Sequence, residues 1–249
     1  MRLLLINPNT TQSMTDKVLA VARAGVSDEV ELVGATGRFG AAYVASRAAY
    51  AIAGHAALDA WANASGDFDA VVLACFGDPG LDALREICPV PVVGMADASL
   101  MVAAQLGARI GIVTGGERWG PMLREFVAAR GFTDRVASIR TVAPTGADIA
   151  RDPDGSLALL AQSCLAAVED GADVVILGGA GLAGLADRMR DRVPVPLVDG
   201  VIAAMGQALT LASLGVGKAT RGSLAQTPSV DSVGLSTALA ASLAQRGKS

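Results

Sequence analysis

The sequence predicts an α/β protein of two similar lobes, each a mostly parallel sheet flanked by helices, with a cleft between the lobes. Short apolar runs alternate with alanine-rich segments of helical spacing along the chain, a pattern typical of parallel sheets. Residues 69–80 also resemble residues 172–181, and both segments lead into a second apolar run that begins with Pro-Val-Pro. We interpret this repeat as a duplicated α/β unit.

Eight apolar runs predict strands, and four long segments predict helices between them. The first run is only four residues long and stops at Asn7-Pro8-Asn9, so it predicts a strand rather than a signal peptide. The predicted strands cover residues 3–6, 31–33, 70–74, 90–93, 110–113, 136–139, 174–177 and 195–198. The predicted helices cover residues 14–24, 41–62, 120–129 and 156–170.

The repeat extends over most of the chain. Residues 3–9 match residues 110–116, and matched positions differ by 104 to 108 throughout. We therefore predict a first lobe of residues 1–96 and a second of residues 97–204. The remaining residues, 205–249, are predicted to form a helix, a polar loop at 215–229 and a final helix at 233–245, and to return to the first lobe.

Composition excludes several classes of function. No apolar run of the 249 residues approaches the roughly 18 of a membrane span. The net charge is −4, and the 17 arginines and 3 lysines are dispersed, which disfavours nucleic acid or an anionic membrane as partner. One histidine and three cysteines without a CxxC pair predict a reducing cytoplasm and no metal site.

The predicted topology places a ligand site between the lobes. Open parallel sheets bind ligands beyond the carboxyl ends of their strands. In two facing lobes these ends bring together four loops, which are residues 7–11, 75–80, 114–116 and 178–184.

Cys75 is the candidate catalytic residue, because it ends a buried strand at this edge. A helix N-terminus at this turn would lower the thiol pKa from about 8.5 and favour proton exchange near neutrality. Free cysteine is also a common small core residue, so both interpretations stay open for Cys75. Core packing is the better interpretation of Cys88 and Cys164.

The glycines that follow the seventh strand allow two interpretations. Gly179, Gly181 and Gly184 form a G-x-G-x-x-G pattern, and Asp199 lies 20 residues beyond the first glycine, which is the fingerprint of a dinucleotide site. Fewer than 70 residues follow, too few for a complete dinucleotide-binding half. We favour backbone N–H groups that hold an oxyanion or carboxylate without a cofactor.

Two polar groups are further candidates for substrate binding. Asn7 ends the first strand at the predicted cleft, although an ordinary turn or N-cap would use the same residues. Tyr43, Arg47 and Tyr50 have the spacing of one helix face. Arg47 would there clamp a substrate carboxylate, or else form a surface ion pair.

Four motifs together carry a family resemblance that covers nearly the whole chain in the right order. The sequence resembles the aspartate/glutamate/hydantoin racemase superfamily, closest to its hydantoin and allantoin racemase branch. The motifs are Asn7-Pro-Asn-Thr, Ala74-Cys-Phe-Gly-Asp-Pro-Gly-Leu81, Leu177-Gly-x-Ala-Gly181 and Val-Pro-Leu-Val-Asp199-Gly200.

The resemblance implies a cofactor-independent enzyme in which two cysteines, one from each lobe, flank the α-carbon of a small substrate. Cys75 matches the first cysteine, whereas Gly179 occupies the position of the second. Further implied roles are contacts of Asn7 and Thr114 with polar groups of the substrate. The N–H groups around Phe76, Gly179, Ala180 and Gly181 are implied to hold an oxyanion or carboxylate.

The leading prediction is therefore a racemase-like isomerase that acts at the α-carbon of a small carboxylate, amino-acid derivative or hydantoin-like ureide through Cys75. Glycine offers no acid or base on the second face, so a one-cysteine decarboxylase of the arylmalonate type is an alternative. Two others are an NAD- or FAD-dependent oxidoreductase and a non-catalytic ligand-binding homologue. We expect a cytoplasmic homo-oligomer with a small-molecule substrate and no cofactor.

Overall fold

The fold consists of two matched sets of strands and helices. The computed structural model describes residues 1–225, 228–229 and 231–244, and over these residues it contains eight strands and ten α-helices. None of the helices in this part of the chain is long and apolar enough to cross a membrane. The first set is β1 Arg2–Asn7, α1 Gln12–Ala24, β2 Glu31–Thr36, α2 Arg47–Asn63, β3 Ala70–Leu73, α3 Leu81–Ile87, β4 Val92–Gly94 and α4 Met95–Leu106. The second set is β5 Ile110–Gly115, α5 Trp119–Ala129, β6 Val136–Val142, α6 Gly146–Arg151, α7 Pro153–Glu169, β7 Val174–Gly178, α8 Leu185–Met189, β8 Leu197–Asp199 and α9 Gly200–Leu214, with α10 Thr237–Ala244 after it.

The two sheets have the same topology, which confirms the predicted fold class. Each has four parallel strands, in the orders β2-β1-β3-β4 and β6-β5-β7-β8. The inner strands β1, β3, β5 and β7 are buried along almost their whole length, as their Val-, Leu- and Ile-rich runs predict for parallel sheets covered on both faces. All eight predicted strands are present.

Two helices link the halves of the molecule. Helix α4 follows β4 but also packs against β7 and β8 of the other sheet, and α9 follows β8 but packs against β3 and β4. The two helices also pack against each other, and one continuous apolar core contains residues of both sheets. The predicted lobe boundaries, after residues 96 and 204, fall within α4 and α9 and stay a prediction.

The C-terminal segment contacts the first half through α10, which packs against α2. This last helix begins at Thr237, four residues later than predicted, and the predicted end at Gln245 lies outside the described residues.

The start of α2 differs from the prediction. Ser46 is the N-cap, with its hydroxyl accepting a hydrogen bond from the Ala49 N–H at 3.2 Å, so α2 begins at Arg47. Residues 37–46 form an irregular segment that we call the strap. Tyr43 lies in the strap, so the predicted helix face shared by Tyr43, Arg47 and Tyr50 is wrong.

Candidate active site

A small cavity of about 40 Å³ lies where the carboxyl ends of β1, β3, β5 and β7 meet. Asn7 and Arg47 do not line it. The other six residues predicted to act in catalysis or substrate binding do line it, and they are Cys75, Phe76, Thr114, Gly179, Ala180 and Gly181. The duplicated strand ends therefore converge as the repeat predicts.

Cys75 lies in a tight turn just after β3 and is 8% exposed. The Asp78 N–H donates to the Cys75 carbonyl at 2.9 Å, and the Tyr50 hydroxyl donates to the Gly77 carbonyl at 2.7 Å. Burial, and then the charge of Asp78, raise the pKa of the Cys75 thiol to about 12. The lowered pKa that we expected is wrong, because burial of the thiol dominates its pKa; α3 begins only at Leu81, six residues after Cys75.

Asp78, a buried residue with a φ of 55°, holds the turn against helix α4. Its carboxylate accepts hydrogen bonds from the N–H groups of Ala96 at 2.9 Å and Asp97 at 2.8 Å. Both donors lie in the first turn of α4, whose N-terminus favours a negative charge. Burial nevertheless raises the pKa of Asp78 to about 7.

Gly179 occupies the position equivalent to Cys75 at the end of β7. Its φ of 128° and ψ of 139° are backbone values that glycine adopts readily and other residues do not. A Cβ built here would lie 3.5 Å from Leu182 Cδ1 and 3.6 Å from Thr114 Oγ1. The space would therefore admit a side chain, and the backbone conformation is what favours glycine.

Phe76 packs tightly against the same strand end. A Cβ on Gly178 would lie 2.4 Å from the Phe76 ring, and one on Gly181 would lie 1.9 Å from the carbonyl oxygen of Gly146. Close packing around the cavity therefore explains Gly178, and also Gly181 of the G-x-G-x-x-G pattern.

On the glycine side of the cavity, two backbone N–H groups have no hydrogen-bond partner among the residues that the structure describes. Ala180 and Gly181 begin a single 3₁₀ turn, residues Ala180–Leu182, whose first N–H groups have no partner within the turn. Such N–H groups stabilise a developing oxyanion.

The Asn-Pro-Asn loop contributes a different residue from the one that we predicted. The Asn7 side-chain amide donates to Asn9 Oδ1 at 2.9 Å and to Thr15 Oγ1 at 3.0 Å, and its oxygen accepts from the Asn9 N–H. Asn7 therefore holds the loop together, whereas Asn9 lines the cavity. The Asn9 side-chain oxygen also accepts from the Thr11 N–H at 2.9 Å, so Asn9 offers a ligand its side-chain NH₂ group.

Of the two interpretations of Arg47, the surface ion pair is the one present, and Tyr43 rather than Arg47 reaches the cavity. The Arg47 side chain is 62% exposed and pairs with Glu125, so it is a surface ion pair. Tyr43 lines the cavity, and its hydroxyl accepts from the Gly146 N–H at 3.0 Å and donates to the Gly115 carbonyl at 3.4 Å. Burial raises the pKa of Tyr43. The strap thus lies over the cavity and is bonded to the second half of the chain through the half-buried, neutral hydroxyl of Tyr43.

Asp199 has no free carboxylate to offer a ribose. It is the N-cap of α9 and accepts hydrogen bonds from the N–H groups of Gly184 at 2.6 Å and Val201 at 2.9 Å. Cys88 and Cys164 are buried in the core, as predicted.

A larger groove of about 1310 Å³ runs between α1, α4 and α9. The residues that line it include no cysteine, and it exposes the apolar side chains of Met101 and Ile202. The small cavity at Cys75 is therefore the better candidate for chemistry.

Comparison with known sequences gives one consistent result. The family model described as Asp/Glu/Hydantoin racemase matches residues 3–208. The hydantoin racemase of Pseudomonas sp. (strain NS671) is 36% identical over 217 residues, which are 86% of this chain and 87% of that protein. The hydantoin racemase of Paenarthrobacter aurescens is 35% identical over 86% of this chain and 92% of its own length.

Comparison with solved structures gives the same family and fold. The allantoin racemase from Pseudomonas fluorescens has a TM-score of 0.90 at 34% identity and covers 94% of this chain and 100% of its own. Arylmalonate decarboxylase, with a TM-score of 0.59 at 19% identity over 90% of this chain and 98% of its own, shares the fold.

Proposed function

Since the chain belongs to the Asp/Glu/hydantoin racemase family, we propose that it is a cofactor-independent racemase of 5-substituted hydantoins or related cyclic ureides. The hydantoin and allantoin racemases among its relatives support this substrate class. In the proposed reaction Cys75 transfers the proton at the α-carbon. The predicted alternatives of small carboxylates and amino-acid derivatives have a similar carbon acid.

The observation that carries the proposal is the position of Cys75. It supplies the thiol among the described cavity-lining residues, and it lies at the meeting point of four matched strand ends. Across the cavity, the N–H groups of Ala180 and Gly181 are available to a carbonyl oxygen of the substrate, so charge that develops on this oxygen is stabilised as the α-proton leaves.

The proposed step begins with the thiolate of Cys75. The thiolate takes the α-proton, the C–H electron pair moves into the enolate, and the carbonyl oxygen gains the charge. Return of a proton from Cys75 to the same face restores the starting configuration, whereas delivery to the opposite face inverts it. One thiol therefore accounts for proton exchange, and inversion requires a second proton source.

The test is the fate of the α-proton of an enantiopure 5-substituted hydantoin in deuterated water. Proton NMR measures exchange, and chiral chromatography measures inversion. We expect Cys75→Ala to lower both rates at least about 100-fold. Cys164→Ala removes a buried thiol that does not line the cavity; it is the matched control and should retain both rates. Exchange at the native rate in Cys75→Ala would refute the proposal.

A second candidate function is decarboxylation of a disubstituted malonate. The raised pKa of Cys75 favours it, because a neutral thiol is ready to protonate the enediolate that remains when carbon dioxide departs. Release of carbon dioxide from an arylmalonate, lost in Cys75→Ala, would support this function. The same substrate left unchanged, with hydantoin exchange intact, would exclude it.

Three other expectations stay proposals. An absorption spectrum of the purified protein tests for a bound flavin or nicotinamide, and calorimetry tests for a ureide that binds without turnover. The expected homo-oligomer would cover the apolar side chains of Met101 and Ile202, and light scattering after size exclusion gives its mass.

A further inference from the structure

We propose that Thr114 is the positioning residue for the second proton transfer, and that its hydroxyl orients a water molecule on the substrate face opposite Cys75. This inference rests on the proposed function, because it supplies the proton source that inversion needs and that Gly179 lacks. It gives Thr114 a role beyond a polar contact with the substrate.

Geometry places the Thr114 hydroxyl beside the missing thiol. Thr114 lies near the end of β5, is 4% exposed, and pairs in register with Gly178 of β7. Its Oγ1 lies 3.6 Å from the position that a Cβ of Gly179 would occupy. Because Gly179 is the counterpart of Cys75 in the duplicated fold, the hydroxyl lies on the side of the cavity opposite the thiol.

The hydroxyl is also free to hold a ligand. It makes no hydrogen bond to any residue in the described part of the chain, and it lines the cavity. A threonine hydroxyl both donates and accepts, and the N–H groups of Ala180 and Gly181 are adjacent in the lining. A buried water needs two to four polar partners, and the missing side chain of Gly179 leaves space for it beside Thr114, since no described atom beyond the adjoining residues lies closer than 3.5 Å to the position of a Cβ there.

Other polar groups near the cavity are less suited to this role. The Tyr43 hydroxyl is engaged by the Gly146 N–H and the Gly115 carbonyl. The Asn9 amide does not titrate. Lys17 donates to the Gly181 carbonyl and does not line the cavity.

The proposed step balances with water as the co-reactant. After Cys75 has taken the α-proton, the water gives a proton to the opposite face of the enolate carbon. A C–H bond forms, an O–H bond of the water breaks, and the resulting hydroxide is held by Thr114 and the neighbouring N–H groups. Proton exchange through solvent from the Cys75 thiol to the hydroxide restores both groups. Thr114 itself is never ionised.

The experiment separates exchange from inversion in deuterated water, with Thr114→Val and the control Thr141→Val. Thr141 is the register neighbour of Thr114 on β6 and does not line the cavity. For Thr114→Val we expect the ratio of inversion to exchange to fall about 100-fold, whatever the loss in exchange itself. We expect native values of both rates for Thr141→Val, and inversion largely retained in Thr114→Ser, which keeps the hydroxyl.

Three results would overturn the inference. Equal loss of exchange and inversion in Thr114→Val, with a melting temperature close to native, would make Thr114 a substrate contact only. If inversion fell relative to exchange in Tyr43→Phe but not in Thr114→Val, the residue that orients the water would be Tyr43 of the strap. If Thr114→Ser, which keeps a hydroxyl, lost inversion as fully as Thr114→Val, the hydroxyl would not be the group that supports inversion. Absence of exchange in the unaltered protein would instead refute the proposed function itself, and this inference with it.

Discussion

Replacing Gly179 by cysteine restores the symmetry that the duplicated fold lacks, and its cost can be worked out from the structure. The nearest atoms to the new Cβ lie at 3.5 and 3.6 Å, ordinary contact distances, so no clash is expected. The φ of 128° is the unfavourable feature. A non-glycine residue in such a conformation costs on the order of 1–3 kcal/mol. For a chain of this size this lowers the melting temperature by about 2–12 °C.

Gly179→Ala separates backbone strain from chemistry, because it imposes the same strain without a thiol. Thermal and urea unfolding should show a similar loss of stability in both variants. In the deuterated-water assay Gly179→Cys should raise the ratio of inversion to exchange, by about 10²-fold or more relative to Gly179→Ala, because a thiol then stands on each face of the α-carbon.

Two results would refute this reasoning. Native stability of Gly179→Ala would mean that the loop does not require the glycine conformation. An equal ratio of inversion to exchange in the two variants, both folded, would mean that position 179 does not face the α-carbon opposite Cys75.

Two further predictions concern stability. Gly178→Ala places a methyl group 2.4 Å from the Phe76 ring, so it should lower the free energy of unfolding in urea by about 1–3 kcal/mol. The control is Gly206→Ala, at a helical glycine where no described atom lies within 4 Å of the added Cβ, and it should raise this free energy by up to about 1 kcal/mol. Equal effects of the two substitutions would contradict the close packing of Gly178 against Phe76. The pKa of Asp78 is about 7 in the folded protein and about 3.9 in the unfolded chain, so between these pH values only the folded state keeps the proton. The stabilisation of the folded state by this proton is therefore fully present below about pH 4 and is lost as the pH rises to about 7. The difference in unfolding free energy between the native chain and Asp78→Asn should therefore fall by up to about 4 kcal/mol over this range, and a constant difference would contradict the raised pKa.

The fold could be predicted because the inner strands give an unambiguous signal. Runs such as residues 70–74 and 174–177 are apolar on both faces, which fits a buried parallel strand. Two copies of one unit then place equivalent strand ends at equivalent edges. This is why Cys75, Thr114 and Gly179, up to 104 residues apart, reach one cavity.

The position of the strap could not be predicted from local pattern. Alanine-rich sequence favours helix on both sides of Ser46, and tertiary contacts decide the outcome. The Thr10 N–H donates to the Ala41 carbonyl at 3.2 Å, and Thr11 Oγ1 donates to the Ala42 carbonyl at 2.7 Å. These bonds hold the strap over the cavity, so that Tyr43 points inward while Arg47 begins the helix in solvent.

The pKa of Cys75 depends on burial that both halves create. Phe76 and Asp78 belong to the first half, but Trp119 comes from the second and packs over Gly77, where a Cβ would lie 2.7 Å from its ring. The sequence of residues 69–80 alone does not predict a contact with the Trp119 ring. The sequence therefore identified the thiol and its turn, but its protonation required the assembled structure.

The neutral state of Cys75 sets different demands on the two candidate functions. At pH 7 the free protein must deprotonate a thiol whose pKa is about 12, which costs five pKa units, or about 7 kcal/mol. A racemase must recover this cost when the substrate displaces solvent and its polar groups meet the thiol. A decarboxylase needs no ionisation, because its thiol acts only as an acid after carbon dioxide has left. Proton exchange from a hydantoin is therefore the more demanding observation, since it shows that the substrate complex stabilises a thiolate that the free protein does not.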